Sequence, residues 1–172
     1  KELSELELPV FSDSSSTYLE SIEIETMMSL LKIIDNPMQD IPLVTVLRST
    51  IGGFTNNDLI EIRLADKKCS FYEAMLKSRI KVDDDIKAKI TKLLNNLEKW
   101  RKEVEYLSLD ELIWQIYLDT GYYHFVSLMP NGNVRQANLK ILFEKAREFE
   151  NTNFSGLFNF INFIDRLKSS GG

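Results

Sequence analysis

The 172 residues include one cysteine, Cys69, and one histidine, His124, with four prolines and seven glycines. A lone cysteine closes no disulfide within the chain, which excludes a small secreted scaffold held by such bridges. A single histidine and a single cysteine, far apart in sequence, do not supply an ordinary zinc site. No apolar run approaches the roughly 18 residues a membrane span needs. The charged opening KELSELELPVFSD lacks the apolar stretch of a signal peptide. Positive charge is short as well, with 21 Lys and Arg against 26 Asp and Glu and a net charge of -5. That balance argues against an autonomous nucleic-acid-binding domain and leaves room only for a local basic surface. These absences together predict a soluble, cytoplasmic protein. The first residue is not methionine and the last four are SSGG, so a piece of a longer chain is expected.

Catalytic signatures are also missing. There is no G-x-x-x-x-G-K-[ST] phosphate loop, no G-x-G-x-x-G and no G-x-S-x-G. No catalytic residue, metal ligand or bound cofactor is therefore expected here. Asp83-Asp84-Asp85 reads as the acidic start of a helix, where carboxylates complement the dipole, more simply than as a magnesium site.

What the sequence does have is helical periodicity. Residues 20 to 35 place Ile24, Met27, Met28, Leu31 and Ile34 on one face, and Asn36-Pro37 ends the run. Asp40 is expected to cap a short helix through Leu47, with Pro42 in its first turn and Gly52-Gly53 breaking the chain beyond it. Thr55 with Asp58, Ser70 with Glu73 and Ser108 with Glu111 have the spacing of capping boxes. After the Asp83 cluster, apolar residues from Ile86 to Leu107 recur in steps of four and three. This predicts one helix of about 24 residues, about 36 Å long. A bundle helix is expected there rather than a coiled coil, because other helices surround it in sequence. Gly121 is placed to end the helix that Ser108 starts. A short helix over Tyr122–Met129, a Pro130-Asn131-Gly132 turn and helices over Val134–Glu150 and Ser155–Lys168 complete the chain. Leu6–Phe11 alone suggests a strand. The predicted fold is all-α: one compact multi-helix domain with one long central helix and a short N-terminal strand.

The segment TGYYHFVSLMPNGNVRQANL, residues 120 to 139, gathers His124, Tyr122, Tyr123 and Arg135 as an active site would. Catalysis would need a nucleophile and a charge stabiliser converging on His124. Adjacent helical residues face different ways, however, so these side chains are not expected to converge. The segment reads as a corner between helices.

Two stretches carry a resemblance. LLKIIDNPMQDIPLVTVLRSTIGGFTNNDLIEIR, residues 30 to 63, and ELIWQIYLDTGYYHFVSLMPNGNVRQANLKILFEKAREFE, residues 111 to 150, with GLFNFINFIDRLKSSGG beyond, closely resemble the ATP-dependent helicase/nuclease family of AddA or RexA type, related to the UvrD and RecB helicases. Residues 64 to 110 match only in helical character. The resemblance implies that residues 1–25 are the edge of a second RecA-like motor domain and residues 26–172 a helical accessory subdomain of 2B type. It implies that ATP and Mg bind elsewhere in the parent chain, with no cofactor in these residues. Implied partners are duplex DNA, the remainder of the helicase/nuclease chain and a partner subunit of AddB or RexB type, with double-strand break repair and recombination as the setting.

In UvrD-like relatives a glycine-containing turn before a helix touches duplex phosphates. The matching residues here are Arg48, Ser49, Gly52, Gly53 and Thr55, which the resemblance makes the expected DNA-binding set. Thr50 stands where the family usually has proline, which relaxes the approach to the glycines. Backbone amides at such a turn can approach an anion, and Arg48 or Thr55 adds side-chain contacts. The plainer reading is an ordinary corner with Phe54 buried. A second basic stretch, Lys67, Lys68, Lys77, Arg79 and Lys81, is offset by Asp66 and Glu73 and reads as a solvated face. The aromatic helix from Phe154 to Phe163 reads as core, or as a surface for a partner. A helical interaction module that docks a partner subunit without touching DNA is the alternative function.

Overall fold

The computed structural model describes residues 17–152 and 155–170. Among them are a single 3-10 turn, Thr17–Glu20, and nine α-helices: α1 (Ile22–Asp35), α2 (Asp40–Arg48), α3 (Asn56–Ala65), α4 (Phe71–Ser78), α5 (Asp84–Glu103), α6 (Leu109–Thr120), α7 (Tyr122–Ser127), α8 (Gly132–Glu150) and α9 (Leu157–Ser170). No strand occurs among the described residues, and the fold is all-α. The expected strand at Leu6–Phe11 lies outside the described residues.

The expected apolar stripe of α1 is buried in full, and so are Leu30 and Ile33 between its members. A helix buried this widely needs cover on several sides. It receives it from α2, α5, α8, α9 and the turn before it. α5, with 20 residues, is the longest helix. It buries Ile86, Ile90, Leu93, Leu97 and Trp100 and packs on α1 and α6 as a bundle helix.

Two local expectations are corrected. First, α5 stops at Glu103 rather than running to Leu107. The Glu105 amide bonds the Lys102 carbonyl at 3.2 Å and the Leu107 amide bonds the Glu103 carbonyl at 2.9 Å. These tight turns keep Val104 and Leu107 against the core while freeing Ser108 to open α6. Second, Asp40 is the first residue of α2, not its cap; Gln39 holds the cap position. The Asp40 carboxylate instead accepts the Phe71 amide at the start of α4, at 2.8 Å, and meets Arg63 of α3 at 3.3 Å. Arg63 also donates to the Cys69 carbonyl at 2.8 Å and lies 4.9 Å over the Phe71 ring. Asp40 thus caps a helix 31 residues away and ties three helices together.

The capping boxes at Thr55 and Ser70 form as spaced. At Ser108, Glu111 accepts the Ser108 amide at 3.1 Å, while the hydroxyl donates to Asp110 at 2.6 Å. Gly121 ends α6 with φ of 65°, the left-handed conformation that glycine adopts without strain.

Residues 120–139 form a corner. Tyr122 is buried and His124 exposed. Arg135 donates to the Pro130 carbonyl at 2.9 Å, and Gln136 donates to the Tyr123 carbonyl at 3.1 Å. The anchor is Glu23 of α1, 1% exposed. One of its oxygens accepts from Arg135 at 2.5 Å, the other from Asn138 at 2.7 Å. A second long-range tie joins α5 to α1, where Arg101 donates to the Ile33 and Ile34 carbonyls, each at 2.8 Å. Those last-turn carbonyls lack partners within their own helix.

Burial alone would raise the pKa of Glu23, but hydrogen bonds from Asn138, its own amide, Ser21 and Arg135 together hold the carboxyl below its ordinary value. The charged form therefore adds stability that is present above the unfolded carboxyl pKa, about 4.5, and is lost as pH falls through the lower folded value. Glu23→Gln is expected to cost about 2–4 kcal/mol at neutral pH and to flatten the acid limb of stability. Urea unfolding at several pH values measures both effects; an unchanged acid limb in the variant contradicts this role for Glu23.

Candidate nucleic-acid interface

The glycine turn joins α2 to α3, and its shape follows from a few short bonds. The Ser49 hydroxyl donates to the Val46 carbonyl at 2.7 Å and accepts the Ile51 amide at 3.2 Å. The Gly53 amide donates to the Ser49 carbonyl at 2.8 Å, and the Phe54 amide reaches back to the Leu47 carbonyl at 2.9 Å. Phe54 is buried, so the turn is pinned to the core from beneath. Gly52 lies against the end of α2: a Cβ there would stand 2.5 Å from the Leu47 carbonyl oxygen and 2.6 Å from that of Val46. Gly53 has open space around it and φ of 69°. The two glycines serve different needs, close approach at one and a left-handed backbone at the other.

The expected DNA-binding residues are brought together here, with different availability. Arg48 and Gly53 are exposed. Arg48 has no ion pair among the described residues. The hydroxyl of Ser49 is spent inside the turn. The Thr55 hydroxyl accepts the Asp58 amide at 3.2 Å and donates to the Asp58 carboxylate at 2.6 Å, and that carboxylate also accepts the Thr55 amide at 3.0 Å. Asp58 thus fills the place at the α3 N-terminus that an external anion would use. The amides of Asn56 and Asn57, in the first turn, have no acceptor within the helix.

Sequence reasoning missed Lys89. It comes from α5 and holds Asp58 at 3.1 Å and Asp85 at 2.6 Å, 6.0 Å above the Phe54 ring. Hydrogen bonds to Asp85 and Asp58 raise its pKa above the ordinary lysine value. Burial works against the charge of Asp58, and the Thr55 and Lys89 bonds outweigh it and lower its pKa. Lys89 is a cation beside the turn that no local spacing pattern announces, because its partner Asp58 lies 31 residues away.

In the second basic stretch only Lys77 has an ion pair among the described residues. Lys77 pairs with Asp66 at 2.6 Å, and this bond is the main reason the Asp66 carboxyl is lowered to about 2. Lys81 donates to the Ala65 carbonyl at 3.3 Å. Lys67 and Lys68 are exposed. On α9, Leu157, Phe160, Ile161 and Ile164 are buried while Phe158 is exposed; Phe154 lies outside the described residues. Among the described residues no three His, Cys, Asp or Glu side chains are grouped to hold a metal. None of the described helices is long and apolar enough to cross a membrane.

Fold and turn define a helical module with a glycine hairpin on its surface. No protein-family model matches the chain. It is 53% identical over 171 residues to the A subunit of the ATP-dependent helicase/nuclease of Acetivibrio thermocellus, covering 99% of this chain and 14% of that protein. The same-named proteins of Clostridium botulinum and Thermoanaerobacter sp. are 50% identical over 167 residues and 49% over 172, covering 96% and 100% of this chain and 13% and 14% of theirs. The chain is homologous to one segment of these ATP-dependent helicase/nucleases. It spans about 14% of the length of the curated relatives it matches.

The two glycines are separable by substitution. Gly53→Ala is expected to cost about 1 kcal/mol, the strain of a left-handed alanine. Gly52→Ala, which drives a methyl into backbone, is expected to cost about 2–3 kcal/mol. Urea midpoints rank them, and equal losses contradict the assignment.

Proposed function

We propose that the chain is an accessory subdomain of 2B type in an ATP-dependent DNA helicase/nuclease, and that it positions duplex DNA through the turn at Arg48, Ser49, Gly52, Gly53 and Thr55. The observation that carries this reading is the hydrogen-bonded hairpin between two helices, which presents to solvent Gly53 and an Arg48 that has no ion pair among the described residues. Arg48 supplies the side-chain contact and the exposed backbone the close approach. Asp58, already seated at the α3 N-terminus, keeps the contact weak, so it acts by orienting a duplex that the motor holds elsewhere.

Within this reading, ATP and Mg bind in the parent's motor domains, and the parent works in double-strand break repair and recombination with an AddB or RexB partner. Residues 1–25 belong to the edge of the second motor domain and residues 26–172 to the subdomain. α1 runs across that boundary, with its first turn fastened to α8 by Glu23. The 172-residue chain hydrolyses no ATP by itself.

Fluorescence anisotropy with a duplex bearing a single-stranded tail, at about 50 and 200 mM salt, tests the contact. Binding is expected to weaken with salt. Arg48→Ala is expected to lose about threefold to tenfold in affinity and to lower the salt slope by about one. Absence of duplex binding at high protein concentration rejects the contact and favours docking of a partner protein, for which the exposed Phe158 on α9 is available.

A further inference from the structure

Between α6 and α8 the surface opens into a groove of about 670 Å³, within the roughly 300–1,000 Å³ typical of small-ligand sites. One wall is aromatic. The Trp114 ring lies 5.6 Å from both Tyr123 and Phe143 and 6.1 Å from buried Tyr117, centroid to centroid. These neighbours hold the indole in place, yet 41% of the residue stays exposed. A side chain already fixed loses little further freedom when a ligand covers it.

The other wall carries cations. Lys140, Phe143 and Arg147 share one face of α8. Lys140 is exposed and has no ion pair among the described residues. Arg147 lies 5.4 Å over the Phe143 ring, and its contacts with Asp110 and Glu144, at 3.4 and 3.8 Å, are long for charge-assisted hydrogen bonds. At the α6 end of the groove stand Asp110 and Glu111. Each accepts one bond from Ser108, and Asp110 also faces Arg147; a carboxylate offers about four acceptor sites, so both retain capacity for a further donor.

We propose that this groove binds a nucleotide unit. The base stacks on Trp114, the phosphate meets Lys140 and Arg147, and an exocyclic amino group of the base donates to Asp110 or Glu111. An apolar occupant would leave Lys140 unpaired, and a bare anion would leave the indole uncovered; base and phosphate together answer both. An acidic aromatic peptide would also meet the two walls, but its carboxylate offers Lys140 and Arg147 fewer acceptor oxygens than a phosphate does. The same chemistry serves a free nucleotide and a base within a single strand. The inference is independent of the duplex contact, which involves α2 and α3.

Trp100 is fully buried, so quenching by a stacked base is read from Trp114. Titration of the 172-residue chain with oligodeoxyadenylate of about eight nucleotides is expected to quench indole emission saturably. Anisotropy of the labelled oligomer is expected to show about tenfold weaker binding for Trp114→Leu and about threefold to tenfold weaker binding for Lys140→Gln, a surface change that preserves the fold. Oligothymidylate, whose base lacks the exocyclic amino group, is expected to bind about fivefold or more weakly. Competition by deoxyadenosine monophosphate at similar concentration assigns a free nucleotide; competition by the oligomer alone assigns a single strand. Absence of quenching up to about 1 mM oligomer overturns the proposal. Unchanged binding by both variants, with native circular dichroism, overturns it equally.

Discussion

The structure depends on one charge buried in a helix whose other buried side chains are mostly apolar. α1 is buried on several sides, and apolar packing is non-directional, so it does not by itself set how far α8 slides along α1. The Glu23 carboxylate does. Its two oxygens face two different donors, Arg135 and Asn138, three residues apart on α8. Slipping α8 by one turn would strip a buried carboxylate of both its α8 donors, which costs far more than an imperfect apolar contact. Arg135 also holds the Pro130 carbonyl, so the same residue fixes the corner from which α8 starts. Arg135, one of the residues that made this segment look like an active site, is one of the two that lock α8 to α1 in register.

Much of the fold was legible because its signals are local. Thr55 and Ser70 close capping boxes with partners three residues away. Gly121 stops α6 through its own backbone angle, and the stripe from Ile86 to Trp100 repeats with the helical period. The failures share a cause. Asp40 looked like a cap for its own helix because spacing does not reveal that the Phe71 amide, 31 residues on, comes close enough to claim the carboxylate. α5 was read past its end because Val104 and Leu107 stay packed against the core after the helix has stopped. Apolar periodicity reports which side chains are buried, not which backbone is helical. Of the interface, the turn was legible through its glycines and the resemblance that includes them, while Lys89 and the Trp114 groove arise only when distant helices meet.

The glycine turn is electrostatically self-contained. A helix N-terminus with a glycine approach usually invites an anion, but here Asp58 accepts the Thr55 amide and hydroxyl and is held by Lys89. An arriving phosphate would meet a resident carboxylate, with Arg48 at the end of α2 exposed and free of an ion pair among the described residues. The surface at Lys77 is discharged in the same way by Asp66. Local pairing of this kind suits a chain of net charge -5: cations are held beside acids, and the field towards nucleic acid is short-ranged and easily screened.

Both surfaces are mounted on α1, which contacts α2 on one side and α8 on another. Their mountings differ in kind. α2 joins α1 through apolar contacts and is braced by the links from Asp40 to Arg63 and Phe71. α8, which carries Lys140 and Arg147, joins α1 through apolar contacts and the Glu23 lock. Tyr117 of α6 adds a bond from its hydroxyl to the Leu139 carbonyl, at 2.9 Å, which holds the two walls of the groove to each other. Weakening the Glu23 lock therefore loosens α6 and α8 from α1 as a pair and leaves the groove between them largely intact. Weakening the Asp40 links frees the α3–α4 hairpin and disturbs the turn first. The two surfaces share a support but not a latch, so mutations that disorder one need not disorder the other.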